Sequence, residues 1–204
     1  MNDFAGIDER NRKKNMIEKK GNLVRITDLS SDFIIELRYA SEENFTGVKV
    51  YQSEECWMDE HTAQILMKAQ EIFRRDGFRV KIWDAYRPIR AQKKFWEIMP
   101  NDDFVARPPD MTKIQKFRPT HMNGMCVDVT LTDPEGREIE MPSPFDTMDE
   151  KASLACPLHS AEGRKNGEYL KRVMESVGFQ AYECEWWHFY DVSAEPAPFS
   201  DYEI

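Results

Sequence analysis

The chain has 204 residues, of which 41% are hydrophobic and 12% aromatic, so it can bury one sizeable core and form one domain or at most two. Its formal net charge at pH 7 is -9. A general nucleic-acid binder needs a basic surface to neutralise phosphates, so this balance argues against a nucleic-acid partner. A small zwitterionic substrate remains compatible with it, because such a molecule responds to local charges.

Charged residues dominate the start of the chain, where residues 1–20 contain no apolar run of signal-peptide length. No stretch approaches the roughly 18 to 20 apolar residues that cross a bilayer. We therefore interpret residues 1–22 as a charged N-terminal extension, residues 23–192 as a single domain and residues 193–204 as a C-terminal tail. This organisation predicts a cytoplasmic protein with no membrane partner.

Residues 23–39 alternate between apolar and polar positions near their end, which predicts an entry strand, and residues 47–51 predict a second short strand. Tyr39 falls between these two segments. Its position is equally consistent with a half-buried ring whose hydroxyl is solvated and with a residue that contacts the substrate.

The clearest helical pattern covers residues 59–76, with Asp59 as a cap at its start and Gly77 after its end. A strand over residues 78–83 follows, and Pro88 is well placed to start the next helix. After that helix, the proline-rich residues 100–119 predict an irregular loop. The loop is either a wall or lid of a site or a surface insertion without a role, and we favour the insertion.

A histidine and an aspartate are separated by a turn signal and by the beginning of an apolar strand. His121 stands just before Asn123-Gly124, and Asp128 lies inside the strand that follows. On an alternating pleat, Asp128 shares its face with Cys126 and not with the apolar side chains. His121 and Asp128 are therefore expected to converge, although a surface histidine and a backbone-bonded aspartate would also fit.

A second pair of polar side chains lies in the aromatic stretch from Tyr182 to Tyr190, where Glu185 precedes His188 by three residues. On a regular strand these two side chains would point to opposite faces. We therefore expect a bulge, a strong twist or a strand end between them, which is common beside active sites.

Together these stretches supply three ligands of the kinds that a catalytic zinc takes, namely His121, Asp128 and His188. Glu185 is then left over beside the metal, where a general base belongs. A competing interpretation makes Cys126 a thiolate nucleophile that works with His121 and Asp128, but it gives Glu185 and His188 no role.

The four cysteines have no C-x-x-C spacing, and we expect reduced thiols. Cys156 and His159 are the remaining nearby residues of types that can ligate a metal, and we expect them to bind none. His61 is expected to be an exposed polar residue in the first turn of its helix.

The last third of the chain predicts a turn over residues 133–136, a returning hairpin strand over residues 137–141 and a helix over residues 168–177. Strands mixed with helices and joined by hairpins indicate a single α+β domain. Its central sheet is expected to be mostly antiparallel and flanked by helices.

Five blocks of sequence occur in order between about Ile26 and about Tyr190. They are Glu36-Leu37-Arg38-Tyr39-Ala40 with Asn44-Phe45-Thr46-Gly47, then Trp83-Asp84-Ala85-Tyr86-Arg87-Pro88, then residues 121–128, then Phe145-Asp146, then Glu185-Trp186-Trp187-His188. Together they resemble the D-alanyl-D-alanine dipeptidases of the VanX type. These belong to the zinc peptidases that share a fold with D,D-carboxypeptidases and the Hedgehog signalling domain.

The resemblance implies a small dipeptide substrate and one zinc ion per chain. It implies three metal ligands, which are His121, Asp128 and His188. It further implies that Glu185 is the general base and that Arg87 stabilises the transition state. Tyr39 and Asp146 match positions that hold the free amino end of the substrate.

The sequence departs from the family at positions beside the substrate. The family usually has Ser at the position of Pro119, a small residue at the position of Cys126, and a Ser-Arg pair where this chain has Met122 and Asn123. None of these changes removes a metal ligand or the base. The reaction class is therefore better supported than the substrate.

Two other functions stay open. A D,D-carboxypeptidase or endopeptidase acting on peptidoglycan stem peptides would share the zinc centre, but it needs an open cleft and no anchor for a free amino end. The matches at Tyr39 and Asp146 favour the dipeptidase. A non-enzymatic zinc-binding module of the same fold would have no need of Glu185.

Overall fold

The computed structural model describes residues 17–101, 105–114 and 116–204, so most of the predicted N-terminal extension lies outside the described residues. The strands are β1 (Lys19–Lys20), β2 (Leu23–Arg25), β3 (Ile34–Ile35), β4 (Trp57–Asp59), β5 (Arg79–Asp84), β6 (Cys126–Thr132), β7 (Phe179–Tyr182) and β8 (Glu185–Asp191). The helices are α1 (Ile26–Leu29), α2 (Glu60–Arg75), α3 (Ile89–Ile98) and α4 (Ala161–Val177), with 3-10 turns at Arg38–Ala40, His121–Asn123 and Glu150–Ala152.

The larger sheet has the strand order β3-β5-β6-β8-β7, and only the β3–β5 pair is parallel. Strand β6 is central, and all of its residues are buried. Strands β1, β2 and β4 form a second, antiparallel sheet. Helices α2 and α4 contact each other and strands of the larger sheet. The predicted α+β fold with a mostly antiparallel sheet is confirmed.

Helix α2 agrees with its sequence prediction because its ends are determined locally. The carboxylate of Asp59 accepts hydrogen bonds from the backbone N–H groups of His61 and Thr62, which satisfies two donors of the first turn. At the other end Gly77 has a φ of +86°. Leu66 and Phe73, in the apolar stripe of the helix, are fully buried.

The predicted entry strand over residues 23–39 is wrong as a continuous element, because α1 and a bend separate β2 from β3. The second predicted strand, over residues 47–51, is also wrong. There the amide of Asn44 donates to the carbonyl oxygens of Ser41 and Val48, and its oxygen accepts from Thr46. These local side-chain bonds hold the segment as a loop and compete with strand pairing.

Helix α4 begins at Ala161, well before the predicted start at residue 168. Ser160 caps it by accepting a hydrogen bond from the N–H of Gly163. Gly163 packs so closely that a Cβ there would lie 2.8 Å from the carbonyl oxygen of Met141. Gly163 therefore allows a close approach between the helix and the preceding segment.

The hairpin strand expected at residues 137–141 is reduced to one isolated bridge between Thr132 and Glu138. The turn before it is confirmed, since the N–H of Gly136 donates to the carbonyl of Asp133. Residues 193–204 contain no helix or strand, yet they lie against the domain: Ser200 N donates to the carbonyl of Met122, and Ile204 is buried. In the part of the chain that the structure describes, no helix is long and apolar enough to cross a bilayer.

Gly124 separates the 3-10 turn of His121 from β6, with a φ of +73°. A Cβ there would lie 2.5 Å from Leu23 Cδ2 and 2.7 Å from Asp59 N. We expect Gly124→Ala to lower the free energy of unfolding by about 2 to 4 kcal/mol, from left-handed backbone strain plus overpacking. Urea denaturation would measure it. Gly77→Ala is the matched control, because its φ is also positive but its surroundings are open, and it should cost only about 1 kcal/mol.

Candidate metal centre

His121 is held in a short turn whose ends are satisfied by neighbouring side chains. Thr120 and Asn123 form a capping box around it, and Asn123 is fully buried. The Nδ1 atom of His121 lies 2.6 Å from the carbonyl oxygen of Ala85. A carbonyl can only accept, so Nδ1 carries the proton and Nε2 keeps its lone pair for a ligand.

The pairing of β6 with β8 places the other two candidate ligands opposite each other, since Asp128 and His188 are direct Cα partners. Strand β8 is irregular just before His188. Its pairing with β7 steps from Ala181↔Phe189 to Tyr182↔Glu185, which leaves three residues of β8 out of register. The predicted irregularity between Glu185 and His188 is therefore confirmed, and it lets both side chains face the same space.

Three donor atoms converge at this point: His121 Nε2, Asp128 Oδ1 and His188 Nδ1. The separations are 3.2 Å between the two imidazole nitrogens, 3.4 Å from His121 to Asp128 and 2.8 Å from His188 to Asp128. Zinc–ligand bonds of about 2.0 to 2.1 Å in a tetrahedron require donors about 3.3 Å apart. The nitrogen and oxygen donors and their spacing thus fit a zinc ion, and the three residues form a candidate metal site.

The electrostatics of the triad suit a cation. Burial alone would raise the pKa of Asp128, but the two imidazoles outweigh it and hold that pKa below its ordinary value. Asp128 is only 3% exposed, so an ionised carboxylate there needs positive partners. The side chain is therefore maintained in the form that binds metal.

Glu185 lies at the edge of the triad, with Oε2 3.9 Å from His188 Nδ1. Its side chain is 31% exposed, so it reaches the cavity in front of the candidate ligands. Burial raises its pKa to about 7, against the opposing influence of His188. A carboxyl group that titrates near neutral pH is suited to accept and release a proton.

Asp84 binds the guanidinium of Arg87, and its role was not predicted from the sequence. The Nε and Nη2 atoms of Arg87 donate to Asp84 Oδ2 at 3.0 and 2.6 Å, and Nη1 donates to Gln92 Oε1 at 2.9 Å. Asp84 is fully buried and also accepts from Tyr51 Oη at 2.6 Å. The position of Asp84, three residues before Arg87 in one block, was the available signal.

Tyr39 and Asp146 meet although 107 residues separate them. The Tyr39 hydroxyl donates to Asp146 Oδ1 at 3.0 Å, and Asp146 is the one non-glycine residue with positive φ, +56°, among those described. Burial, and secondly the charge of Asp128, raise the pKa of Asp146 to about 7. Burial and Asp146 also raise the pKa of Tyr39, so its hydroxyl keeps the proton that it donates.

One cavity of about 680 Å³ joins these groups. Its wall includes every predicted site residue: Tyr39, Arg87, His121, Asp128, Asp146, Glu185 and His188. Parts of the 100–119 loop also line it, so the favoured interpretation of that loop as a surface insertion without a role is wrong. Its prolines and charges gave no signal for this, because the contact depends on where the chain crosses the site.

The other candidates do not join a metal site in the described residues. Burial, and secondly Asp128, raise the pKa of the Cys126 thiol, which disfavours the thiolate interpretation. His159 Nε2 lies 2.8 Å from the carbonyl of Ser153 and forms no metal-like group with Cys156. His61 is exposed as expected, and its Nδ1 lies 2.8 Å from the buried Asp191.

A candidate metal-binding triad with an adjacent carboxyl group is the arrangement that a metallohydrolase requires. The chain belongs to the Peptidase_M15 family, D-ala-D-ala dipeptidase, whose model matches residues 19–203.

Named relatives agree with this assignment. The chain is 32% identical to the D-alanyl-D-alanine dipeptidase of Escherichia coli, over 82% of this chain and 83% of that protein. It is 31% identical to the D-alanyl-D-alanine dipeptidase of Enterococcus faecium, over 83% of this chain and 90% of that protein. The solved LdcB LD-carboxypeptidase is a looser likeness, with a TM-score of 0.46 and 16% identity over 86% of this chain and 70% of that one.

Proposed function

We propose that this protein hydrolyses the peptide bond of D-alanyl-D-alanine or a closely related dipeptide, with one zinc ion per chain. The observation that carries the proposal is the carboxyl group of Glu185 beside three convergent donor atoms. Membership of the dipeptidase family and the names of the relatives support the substrate class.

In this proposal His121 Nε2, Asp128 Oδ1 and His188 Nδ1 hold the zinc ion. When bound, zinc supplies a Lewis acid that lowers the pKa of water towards neutral and polarises the peptide carbonyl. The hydrogen bond from His121 Nδ1 to the Ala85 carbonyl keeps the correct tautomer and ring orientation.

Glu185 carries the proton transfers. Its Oε2 atom accepts a proton from the attacking water and later delivers it to the nitrogen of the leaving D-alanine. Burial raises the pKa of Glu185, which makes its carboxylate a stronger base for the first transfer.

Arg87 stabilises the negative charge that develops on the carbonyl oxygen. A guanidinium stays charged and presents several donors in a fixed plane. Two of its nitrogens are tied to Asp84 and a third to Gln92, so the group is oriented before substrate arrives. Preorganised charge of this kind costs no reorganisation during the reaction.

Asp146 and Tyr39 anchor the free amino end of the dipeptide. A substrate ammonium group pairs with the half-buried Asp146 carboxylate, and the Tyr39 hydroxyl orients that carboxylate. This anchor favours a dipeptidase over a carboxypeptidase or endopeptidase, because an acylated substrate has no ammonium group to place there.

A panel of dipeptides tests the proposed function. We expect cleavage of D-alanyl-D-alanine, with much slower cleavage of L,L- and L,D-dipeptides and of N-acetylated D-alanyl-D-alanine, as followed by release of free D-alanine. A chelator should abolish the activity and added zinc should restore it. Preferred cleavage of the acylated substrate would instead support the carboxypeptidase or endopeptidase, and cleavage of none would support the non-enzymatic module.

Glu185→Gln should retain zinc and lower kcat by about 100- to 10,000-fold, because the amide has the same size but cannot accept the proton. Zinc content by mass spectrometry and the rate of D-alanine release would be measured on the same preparation. Glu183→Gln is the matched control, since Glu183 is two residues away with an 83% exposed side chain. Undiminished cleavage in the Glu185 variant would remove it from the role of base.

The amino anchor predicts a pH-dependent KM. Asp146 is ionised above its pKa of about 7 and neutral below it, so KM for D-alanyl-D-alanine should rise as pH falls through 7. Asp146→Asn should raise KM about 10- to 100-fold at pH 8 and abolish this rise. Steady-state kinetics from pH 5.5 to 8 would measure both, because the substrate amine, with a pKa of about 8, is at least about half protonated over that range. Glu150→Gln, which changes an exposed carboxylate nearby, should leave the profile intact.

A further inference from the structure

The cavity lining includes four lysine and arginine side chains, although the whole chain has a net charge of -9. Of the basic residues in the lining, Arg87 belongs to the segment between β5 and α3, while Arg107, Lys116 and Arg118 come from the loop before His121. The carboxyl groups in the lining, which are Asp128, Asp146 and Glu185, come from other elements. The described part of the loop before His121 thus contributes basic side chains and no carboxyl group to the lining.

Arg118 differs from Arg87 in what its guanidinium contacts. The Arg87 group is tied to Asp84 and Gln92, and its charge is balanced within the protein. Arg118 is an exposed residue of the cavity wall, and within residues 17–101, 105–114 and 116–204 its side chain makes no hydrogen bond or ion pair. Its charge is available to a ligand.

The backbone of Arg118 is nevertheless fixed relative to the metal site. Its carbonyl oxygen accepts a hydrogen bond of 2.9 Å from Asn123 Nδ2, which also donates to the carbonyl of Ala197. Asn123 closes the turn that carries His121. The neighbouring Phe117 packs its ring 5.0 Å from that of Phe199. One buried amide and one ring contact therefore hold the base of the Arg118 side chain in a constant position beside His121.

Arg118 and Asp146 have different neighbours in the cavity lining. Burial raises the pKa of both Cys126 and Tyr182, and the charge of Arg118 opposes that rise at each. Tyr182 in turn packs its ring 5.6 Å from that of His188. Asp146 instead contacts Tyr39. The cavity that holds the triad is therefore lined both by a carboxylate that suits an ammonium group and by a guanidinium that suits an anion.

We propose that Arg118 binds the C-terminal carboxylate of the substrate and makes the site selective for peptides cleaved one residue before a free carboxyl end. This inference rests on the proposed function, and it adds a ligand-binding residue that the family resemblance did not include. A dipeptide places its ammonium group on one side of the scissile carbonyl and its carboxylate on the other. A planar guanidinium can bind that carboxylate with two parallel hydrogen bonds.

The test is a cycle of two enzymes and two ligands, D-alanyl-D-alanine and its C-terminal amide. For the wild-type protein, kcat/KM should be about 10- to 100-fold lower with the amide than with D-alanyl-D-alanine, mainly because KM is higher. Arg118→Ala should lose about the same factor on the free acid and nothing further on the amide. Arg118→Lys should recover part of the loss. Lys113→Ala is the matched control, because it removes a charge from the same loop at a side chain that is 81% exposed and outside the cavity lining.

Calorimetric binding to Glu185→Gln, with and without Arg118→Ala, repeats the cycle without turnover. Equal losses on acid and amide, or no loss on either, would overturn the role of Arg118 while leaving a cleaving wild-type enzyme as proposed. If wild-type protein cleaves neither ligand but Glu185→Gln discriminates acid from amide through Arg118, the carboxylate site stands and the dipeptidase function fails. Absence of binding to both ligands would overturn both proposals.

Discussion

The candidate site depends on one strand pairing, that of β6 with β8, which sets Asp128 directly opposite His188. This register brings a buried carboxylate to 2.8 Å from an imidazole, and the capped turn adds the imidazole of His121. A shift of one residue would turn each side chain to the other face of the sheet.

Two buried polar side chains connect the parts of the site that are distant in sequence. Asp84 accepts hydrogen bonds from Tyr51 and Arg87, which holds the guanidinium that is proposed to stabilise the oxyanion against the end of β5. Asn123 ties the turn of His121 to the loop before it and to the segment after β8. Both groups are satisfied by several partners, as buried polar groups must be, and both restrict where a charged side chain can reach.

Elements whose ends are fixed by neighbouring residues could be predicted from the sequence, and elements fixed by distant contacts could not. Helix α2 was predicted nearly to the residue because its cap, its apolar stripe and its terminal glycine are neighbours in the chain. The entry strand failed because α1 and the bend after it interrupt the chain, which alternation alone does not reveal. The second short strand failed because the side chain of Asn44 holds a loop there. The early start of α4 was missed because Gly163 is a poor helix former, and its presence there depends on a close contact with Met141, 22 residues earlier.

By itself, the sequence determined the chemical inventory: the types of the three donor side chains, the carboxyl group of Glu185, the five ordered blocks and the α+β class. These depend on residue identity and short-range pattern. Only the tertiary structure decided that described parts of the 100–119 loop line the cavity, that Ser200 bonds to the turn of His121, and that Asp84 holds Arg87. Those features arise from contacts between segments far apart in the chain, and their energies depend on packing and burial that no local pattern encodes.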